Sequence, residues 1–339
     1  MGNLSDIMTV GRAIVSAPIK EARRIDRIAI SSPGDFRLGE RTVLARDEAA
    51  REPLLPYCLD VARRRALYVG GVDAKGAQAA SFYYLYLRRE AQRVVSVPWE
   101  MGPLGRAARA PVFLFSPGRC GSTLLSRILS ASGAANASEP DFYTQATTAL
   151  SASPLNPFRA AIADAAAAMG ADLAAALDPA LPPVVKLRAE SCRAPALLLR
   201  PGERRTLFMT RGFEDWARSN GRAFRNGPGK SVGKYMRSLA CYAWLKRNSD
   251  CRLLRFEDLL AKPLGVADAL GRFLGRAIPP DAVLSTMTED SQADTPVARG
   301  ARPARPGWEK RFDATMALWN SARVRRARDR LDVDELRTG

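Results

Sequence analysis

The chain predicts an α/β fold: a mostly parallel sheet flanked by helices, with an added N-terminal lobe. Three observations predict it. From residue 111 onward, short β-rich apolar runs alternate with stretches of helical periodicity. The clearest such junction, Val112-Phe-Leu-Phe-Ser-Pro-Gly-Arg-Cys-Gly-Ser-Thr-Leu-Leu-Ser-Arg-Ile-Leu129, reads as strand, glycine turn and helix start in one stretch. Residues 1–110 lack this alternation, which gives an expected division into an α+β lobe over 1–110 and a larger α/β domain over 111–339.

Taken in order, the lobe opens with a mixed helical segment, and Ala66-Leu-Tyr-Val-Gly70 then reads as a strand closed by glycines. The run from Ser81 to Val97 reads as a helix leading into a short strand. Its aromatic cluster, Phe82, Tyr83, Tyr84 and Tyr86, fits packing and leaves open a role lining an acceptor pocket. In the larger domain VFLF (112–115) is a strand and 122–132 a helix, and 156–177 is a long Ala-rich helix or helix pair. The segment 182–190 is a strand entered through Pro182-Pro183, 204–211 another strand, and 213–224 and 232–249 are helices. The segment 250–260 is a strand running into a turn, 265–276 a helix, and 314–331 a last helix behind an Arg/Pro-rich loop. Alternation of this kind implies parallel strands with right-handed crossovers, and ligands in such sheets bind beyond the carboxyl ends of the strands.

Composition narrows the chemistry. The 339 residues include no histidine, which excludes Ser-His-Asp triads, Cys-His dyads and HExxH zinc sites. Any general base is therefore a carboxylate, Lys, Tyr or Cys. Five cysteines (Cys58, Cys120, Cys192, Cys241, Cys251) are scattered without a CxxC pair, as in a reducing compartment. The net charge of +17 comes from 52 basic and 35 acidic residues. It reads either as a field that attracts anionic ligands or as Arg-rich composition alone. Basic doublets and triplets are spread along the chain, with no zinc finger, RNP-like motif or long basic tail, so nucleic acid is not the expected partner. No uninterrupted apolar run approaches the ~18–20 residues of a spanning helix, and Asp6 interrupts the N-terminal apolar stretch, so a soluble cytoplasmic protein without a transmembrane segment is expected.

The junction at 112–129 carries the chemistry. Amides at a helix start lack internal partners, and the helix dipole adds partial positive charge there. Gly121 permits close approach of an anion, Arg119 supplies fixed charge, and Ser122 and Thr123 add hydroxyls, one of them suited to the N-cap. The loop is not a Walker A motif, because Thr123 follows Gly118 by five residues with no Lys before it. Two strands further on, Arg211 ends a strand and Ser219 lies eight residues later in the next helix, a spacing that can converge on one anion. Lys186, inside the apolar strand Val184-Val-Lys-Leu-Arg188, either reaches a cleft or snorkels at a strand edge.

These segments resemble the PAPS-dependent sulfotransferases, in their bacterial and tyrosylprotein-like branch. The sulfate-donor loop of that family carries PRSGTTL-like or GRCGSTLL-like segments, and its 3′-phosphate motif is Arg followed eight residues later by Ser. The resemblance covers roughly residues 111–312 and implies a P-loop-like nucleotide-binding domain with PAPS (3′-phosphoadenosine 5′-phosphosulfate) as co-substrate and no metal. It implies a 5′-phosphosulfate site at Gly118, Arg119, Cys120, Gly121, Ser122 and Thr123, and a 3′-phosphate site at Arg211 and Ser219. Cys120 departs from the commoner Ser, and Gly118 is also a variation. Leu253-Leu-Arg-Phe-Glu-Asp-Leu-Leu260 resembles the family's strand ending in a Tyr/Phe-Glu-Asp-Leu turn, where Glu257 and Asp258 read as structural caps. Gly307-Trp-Glu-Lys-Arg-Phe312 resembles its C-terminal GxWK-like element, whose preceding basic loop makes Arg302 and Arg305 nucleotide-binding candidates.

The resemblance thus implies a sulfotransferase moving a sulfuryl group from PAPS to an acceptor hydroxyl or amine by metal-independent in-line transfer. Charge builds on oxygens during such transfer, so Arg119 and Lys186 are the cationic catalysts expected. The resemblance places a catalytic Glu at Glu139. Asp141 is the alternative base, and a loop carboxylate capping the next helix is the plainer reading of Glu139. The acceptor is left open among small molecules, glycans, lipids and peptides, and the N-terminal lobe is expected to shape its choice. Two rival functions stay open: a P-loop-like nucleotide- or RNA-binding protein without transfer activity, and a kinase-like phosphotransferase.

Overall fold

The computed structural model describes residues 13–23, 29–105, 110–152, 157–177, 182–199, 205–289 and 307–333. The chain divides into two compact units: residues 1–112 with 134–185, and residues 113–133 with 186–339. Each unit is thus built from two stretches of the chain, with 134–185 grouped with the first.

Among the described residues the first unit opens with strands, where a mixed helical segment is expected; residues 1–12 of that expectation lie outside the described residues. The strands are β1 (Ile14–Ala22), β2 (Phe36–Leu38) and β3 (Thr42–Leu44), followed by the short helix α1 (Arg46–Arg51). The Ala, Lys, Glu and Arg of this stretch favour helix locally. Pairing decides otherwise, since β1 bonds antiparallel to β2, to β3 and to the later strand over 93–98. Strands β4 (Leu55–Asp60) and β5 (Arg65–Gly70) form a hairpin, its turn closed at Arg64 with φ +53°. Helices α2 (Ala74–Ala79) and α3 (Tyr83–Glu90) precede β6 (Arg93–Pro98), and the helix-to-strand run over 81–97 is as expected. The sheet is six-stranded and antiparallel, in the order β2-β1-β6-β5-β4 with β3 beside β1. Every residue of β4 is buried, so its sequence has no alternation to reveal it as a strand.

The second sheet is the predicted one. Strand β7 (Val112–Phe115) leads into α4 (Ser122–Ala131), and β8 (Asn136–Ser138) into α5 (Asp141–Ala152) and α6 (Arg159–Leu177). Strand β9 (Val184–Lys186) follows, then β10 (Arg205–Thr210) with helices α7 (Phe213–Ala223) and α8 (Pro228–Asn248). Strand β11 (Asp250–Arg255) leads into α9 (Phe256–Ala261), α10 (Pro263–Leu274) and α11 (Pro280–Thr288). The strand order is β11-β10-β7-β9-β8, with β10 parallel to both β7 and β11. The fold is therefore mixed α/β with a parallel sheet flanked by helices.

The expected single C-terminal helix is two, α12 (Trp308–Trp319) and α13 (Ala322–Asp329). The break falls at Asn320-Ser321, where Ser321 Oγ accepts from the Val324 amide at 3.4 Å and so caps a new helix.

One helix among the described residues, α6, is long and apolar enough to cross a membrane by length and composition. It packs as a core helix: Ile162, Ala165, Ala166, Met169 and Leu173 are buried. Its Asp172 carboxylate accepts from Tyr68 OH (2.7 Å) and from the Leu104 (2.9 Å) and Gly105 (2.6 Å) amides. A buried carboxylate with three donors belongs to a folded interior. All five cysteines are free thiols.

Candidate functional site

In the second unit, β7 ends at Phe115 and the chain turns sharply before α4. Gly118, Arg119 and Gly121 all have left-handed backbones, with φ of +72°, +56° and +83°. Three such residues within four fold the loop tightly ahead of the helix, the geometry in which successive amides form an anion-binding nest. Side chains hold the turn from both sides. The Gly118 amide donates to Ser116 Oγ at 3.2 Å, and Trp216 Nε1 donates to the Gly118 carbonyl at 2.7 Å. A Cβ at Gly121 would lie 2.2 Å from Phe256 Cδ2, so only glycine fits there.

Gly121 is also the N-cap, displacing Ser122 and Thr123 from the capping role that composition suggests. Capping by a hydroxyl needs an extended N-cap backbone, and this turn arrives left-handed. Ser122 and Thr123 become the first two helical residues. Both are buried, and Ser122 Oγ sits 3.5 Å from Ser116 Oγ. The first helical bond is Leu125 N–H to the Gly121 carbonyl, so the amides before it have no partner inside the helix.

Lys186 is 2% exposed, and Nζ donates to Thr123 Oγ1 at 3.2 Å. Its strand β9 lies between β7 and β8, so the strand-edge reading of this lysine fails, and its charge is delivered to the start of α4. Cys120 points the other way. Its thiol is fully buried and donates to the Met209 carbonyl at 3.4 Å, and burial pushes its pKa up.

Arg211, the first residue of the second predicted anion site, lies where β10 gives way to α7. Tyr235 OH donates to the Arg211 carbonyl at 2.6 Å, and burial pushes the phenol up to about 12, keeping it a donor. The Gly212 amide donates to Glu257 Oε1 at 2.9 Å, so Glu257 caps α7, the structural role expected of it. The Arg211 guanidinium lies over the Phe256 ring at 4.8 Å and 3.7 Å from Asp215 Oδ2. Its Nε is buried with no hydrogen-bond partner among the described residues. An unsatisfied guanidinium donor is costly to bury and calls for an acceptor.

Ser219, one and a half turns into α7, meets the loop directly: Arg119 Nε donates to its Oγ at 3.2 Å. The loop and the Arg211/Ser219 motif are thus neighbours. Phe256 is the residue that sequence reasoning missed, since one ring touches both Gly121 and Arg211. Its signal was the aromatic of the Phe-Glu-Asp-Leu turn.

The Gly307–Phe312 element starts α12, which packs on α7 through Arg222 over Trp308 (4.8 Å), Arg218 over Phe312 (4.9 Å) and a stacked Phe213–Trp319 pair (3.8 Å). Arg302 and Arg305 lie outside the described residues.

Glu139 and Asp141 belong to the first unit. Glu139 stands between β8 and α5 with φ +65°, a conformation that costs a non-glycine residue about 1–2 kcal/mol. Asp141 is fully buried, and Oδ2 accepts from the Ser31 amide (2.7 Å) and Ser31 Oγ (3.0 Å). Arg88 continues this network to Ser31 Oγ (3.4 Å), Tyr57 OH (3.2 Å) and Asp35 Oδ2 (3.2 Å). The Asp141 carboxylate thus anchors Ser31 inside the first unit. Of the aromatic cluster, Phe82, Tyr83 and Tyr84 are buried, and Tyr83 OH donates to the Pro56 carbonyl at 2.9 Å, which fits packing.

No family model and no curated protein matches this chain. Among solved structures, it is similar to a crystal structure of retinol dehydratase in complex with androsterone and inactive cofactor PAP. The two share 14% identity with a TM-score of 0.37, over 69% of this chain and 82% of that one.

Proposed function

We propose that the second unit binds PAPS and that the protein transfers its sulfuryl group to an acceptor hydroxyl or amine. The observation that supports this reading most is the Arg119–Ser219 hydrogen bond, which ties the loop before α4 to the helix that carries the Arg/Ser motif. The residues present fit a nucleotide with two anionic ends. The left-handed turn at 118–121, the amides that open α4 and Lys186 suit the 5′ end, while the unsatisfied Arg211 Nε and Ser219 suit a 3′-phosphate.

The donor supplies an activated sulfuryl group on a phosphate leaving group. The chain's contribution is fixed positive charge and position. Lys186 holds Thr123 and keeps an ammonium at the helix start, where charge on the leaving oxygen is stabilised. Arg119, fixed by Ser219, holds its guanidinium in place before any ligand arrives, so little is reorganised during transfer. Glu139 is the proposed acceptor of the hydroxyl proton, its backbone held in an uncommon conformation as at many functional sites. Asp141 is the weaker choice, because its carboxylate is already bonded to Ser31. The first unit is proposed to select the acceptor.

Calorimetric titration with PAP, and separately with ATP and Mg²⁺, tests the reading. Metal-independent binding of PAP in preference to ATP is expected, followed by mass-spectrometric detection of a sulfuryl-bearing product after incubation with PAPS and a metabolite extract. Mg²⁺-dependent ATP binding with no affinity for PAP would instead favour a phosphotransferase.

A further inference from the structure

Helix α8 braces α7 and the Arg211 turn through two side chains. Ser231 Oγ meets Asn220 Nδ2 of α7 at 3.3 Å, and Tyr235 OH holds the Arg211 carbonyl. Between them, Lys234 turns its ammonium to the donor loop. Its Nζ lies 3.7 Å from the position a Cβ at Gly118 would occupy, in the space that glycine leaves open. The same ammonium lies 5.6 Å from the centre of the Phe224 ring, and no carboxylate pairs with it among the described residues.

We infer that Lys234 is a further anion-binding residue, which holds the anionic 5′ end of the ligand from the Gly118 side of the loop. Three cations then surround the turn: Arg119 within it, Lys186 beneath the helix start, and Lys234 at Gly118. Like charges around one turn repel, and a ligand carrying more than one negative charge offsets that repulsion. A phosphoanhydride-type group supplies such charge, whereas a single neutral or monoanionic group does not. The glycine at 118 has a second use here. Any side chain would fill the gap between loop and ammonium, beside the Ala189 methyl 3.6 Å away.

The inference rests on the reading of the loop as a 5′-phosphosulfate site, and two probes separate their fates. Titration of the full-length protein with PAP, and independently with inorganic pyrophosphate, is compared for wild type, K234Q and K234R, with thermal melting of each as a check on folding. A charge-assisted contact at a half-exposed lysine predicts about tenfold weaker binding of both probes to K234Q and near-wild-type binding to K234R. K234Q binding both probes as wild type does would overturn the inference and leave the nucleotide reading standing. Equal weakening of K234Q and K234R would also overturn it, since charge would then not be what matters. Wild type that binds pyrophosphate but not PAP would sink the nucleotide reading, with Lys234 still judged on the pyrophosphate ratio. Wild type that binds neither probe would overturn both.

Discussion

Arg119 Nε donates to Ser219 Oγ across 3.2 Å, joining two residues a hundred positions apart in the chain. The bond fixes a guanidinium on a tight loop to a hydroxyl on a helix that starts at the end of a different strand. Each residue therefore positions the other, and substitutions at the two should not be additive.

Ser219→Ala is expected to weaken PAP binding about three- to tenfold, because a hydrogen bond worth about 1 kcal/mol is lost and Arg119 is released. Arg119→Ala should weaken it by a further order of magnitude. In the double variant the serine's effect should largely vanish. Calorimetric titrations of the four proteins measure this coupling, and strictly additive losses would count against a shared site.

Arg211→Ala should weaken PAP binding about 10–100-fold while leaving affinity for adenosine 5′-phosphosulfate, which lacks the 3′-phosphate, nearly unchanged. The reason is its buried, unsatisfied Nε. Equal losses for the two nucleotides would remove Arg211 from the 3′ end.

Glu139→Gln is expected to abolish turnover with PAP affinity intact. Glu139→Gly should abolish it too, yet raise stability by about 0.5–1 kcal/mol, because glycine adopts φ +65° freely. Chemical denaturation and product formation on the same samples test both halves. Retained turnover in either variant would exclude Glu139 as the base.

Gly121→Ala is expected to destabilise the fold by about 2–4 kcal/mol, combining left-handed strain with overlap against Phe256. Adding Phe256→Ala should recover part of the loss and none of the PAP affinity. Denaturant midpoints of the single and double variants decide it.

Alkaline pH should unfold the protein early. Burial raises the pKa of Cys58, Cys120, Cys241 and Cys251, that of Cys251 to about 11, and of Tyr235 to about 12. A group whose folded pKa is raised binds its proton more tightly in the native state, so its stabilising effect is complete below the unfolded pKa and lost as pH rises through the folded one. Stability should therefore fall progressively from about pH 9, and thermal melting between pH 7 and 11 measures the slope.

Much of the second unit was legible because its strands are short apolar runs closed by turns, and its helices carry apolar residues at regular spacing. The loop and the Arg211/Ser219 spacing could be read for the same reason: residue types at fixed intervals carry their chemistry locally. The strands of the first unit could not. β1 is chosen by its partners on both sides, and β4 is buried along its whole length, so neither shows the alternation of a half-exposed strand. Phe256 and Lys234 were equally hidden. Each acts at a distance in sequence, through a ring face or an ammonium laid against glycine, and glycine records nothing of what lies opposite it.

Helix α7 is held at several points along its length. Trp216 fastens the loop, Ser219 holds Arg119, Asn220 meets α8, and Arg218 with Arg222 clamps the C-terminal helix. Such a helix behaves as a mechanical linkage: a tug on the chain's last helices would be felt at Ser219. Shortening α12 would then free α7 on that flank and slacken the hold of Ser219 on Arg119.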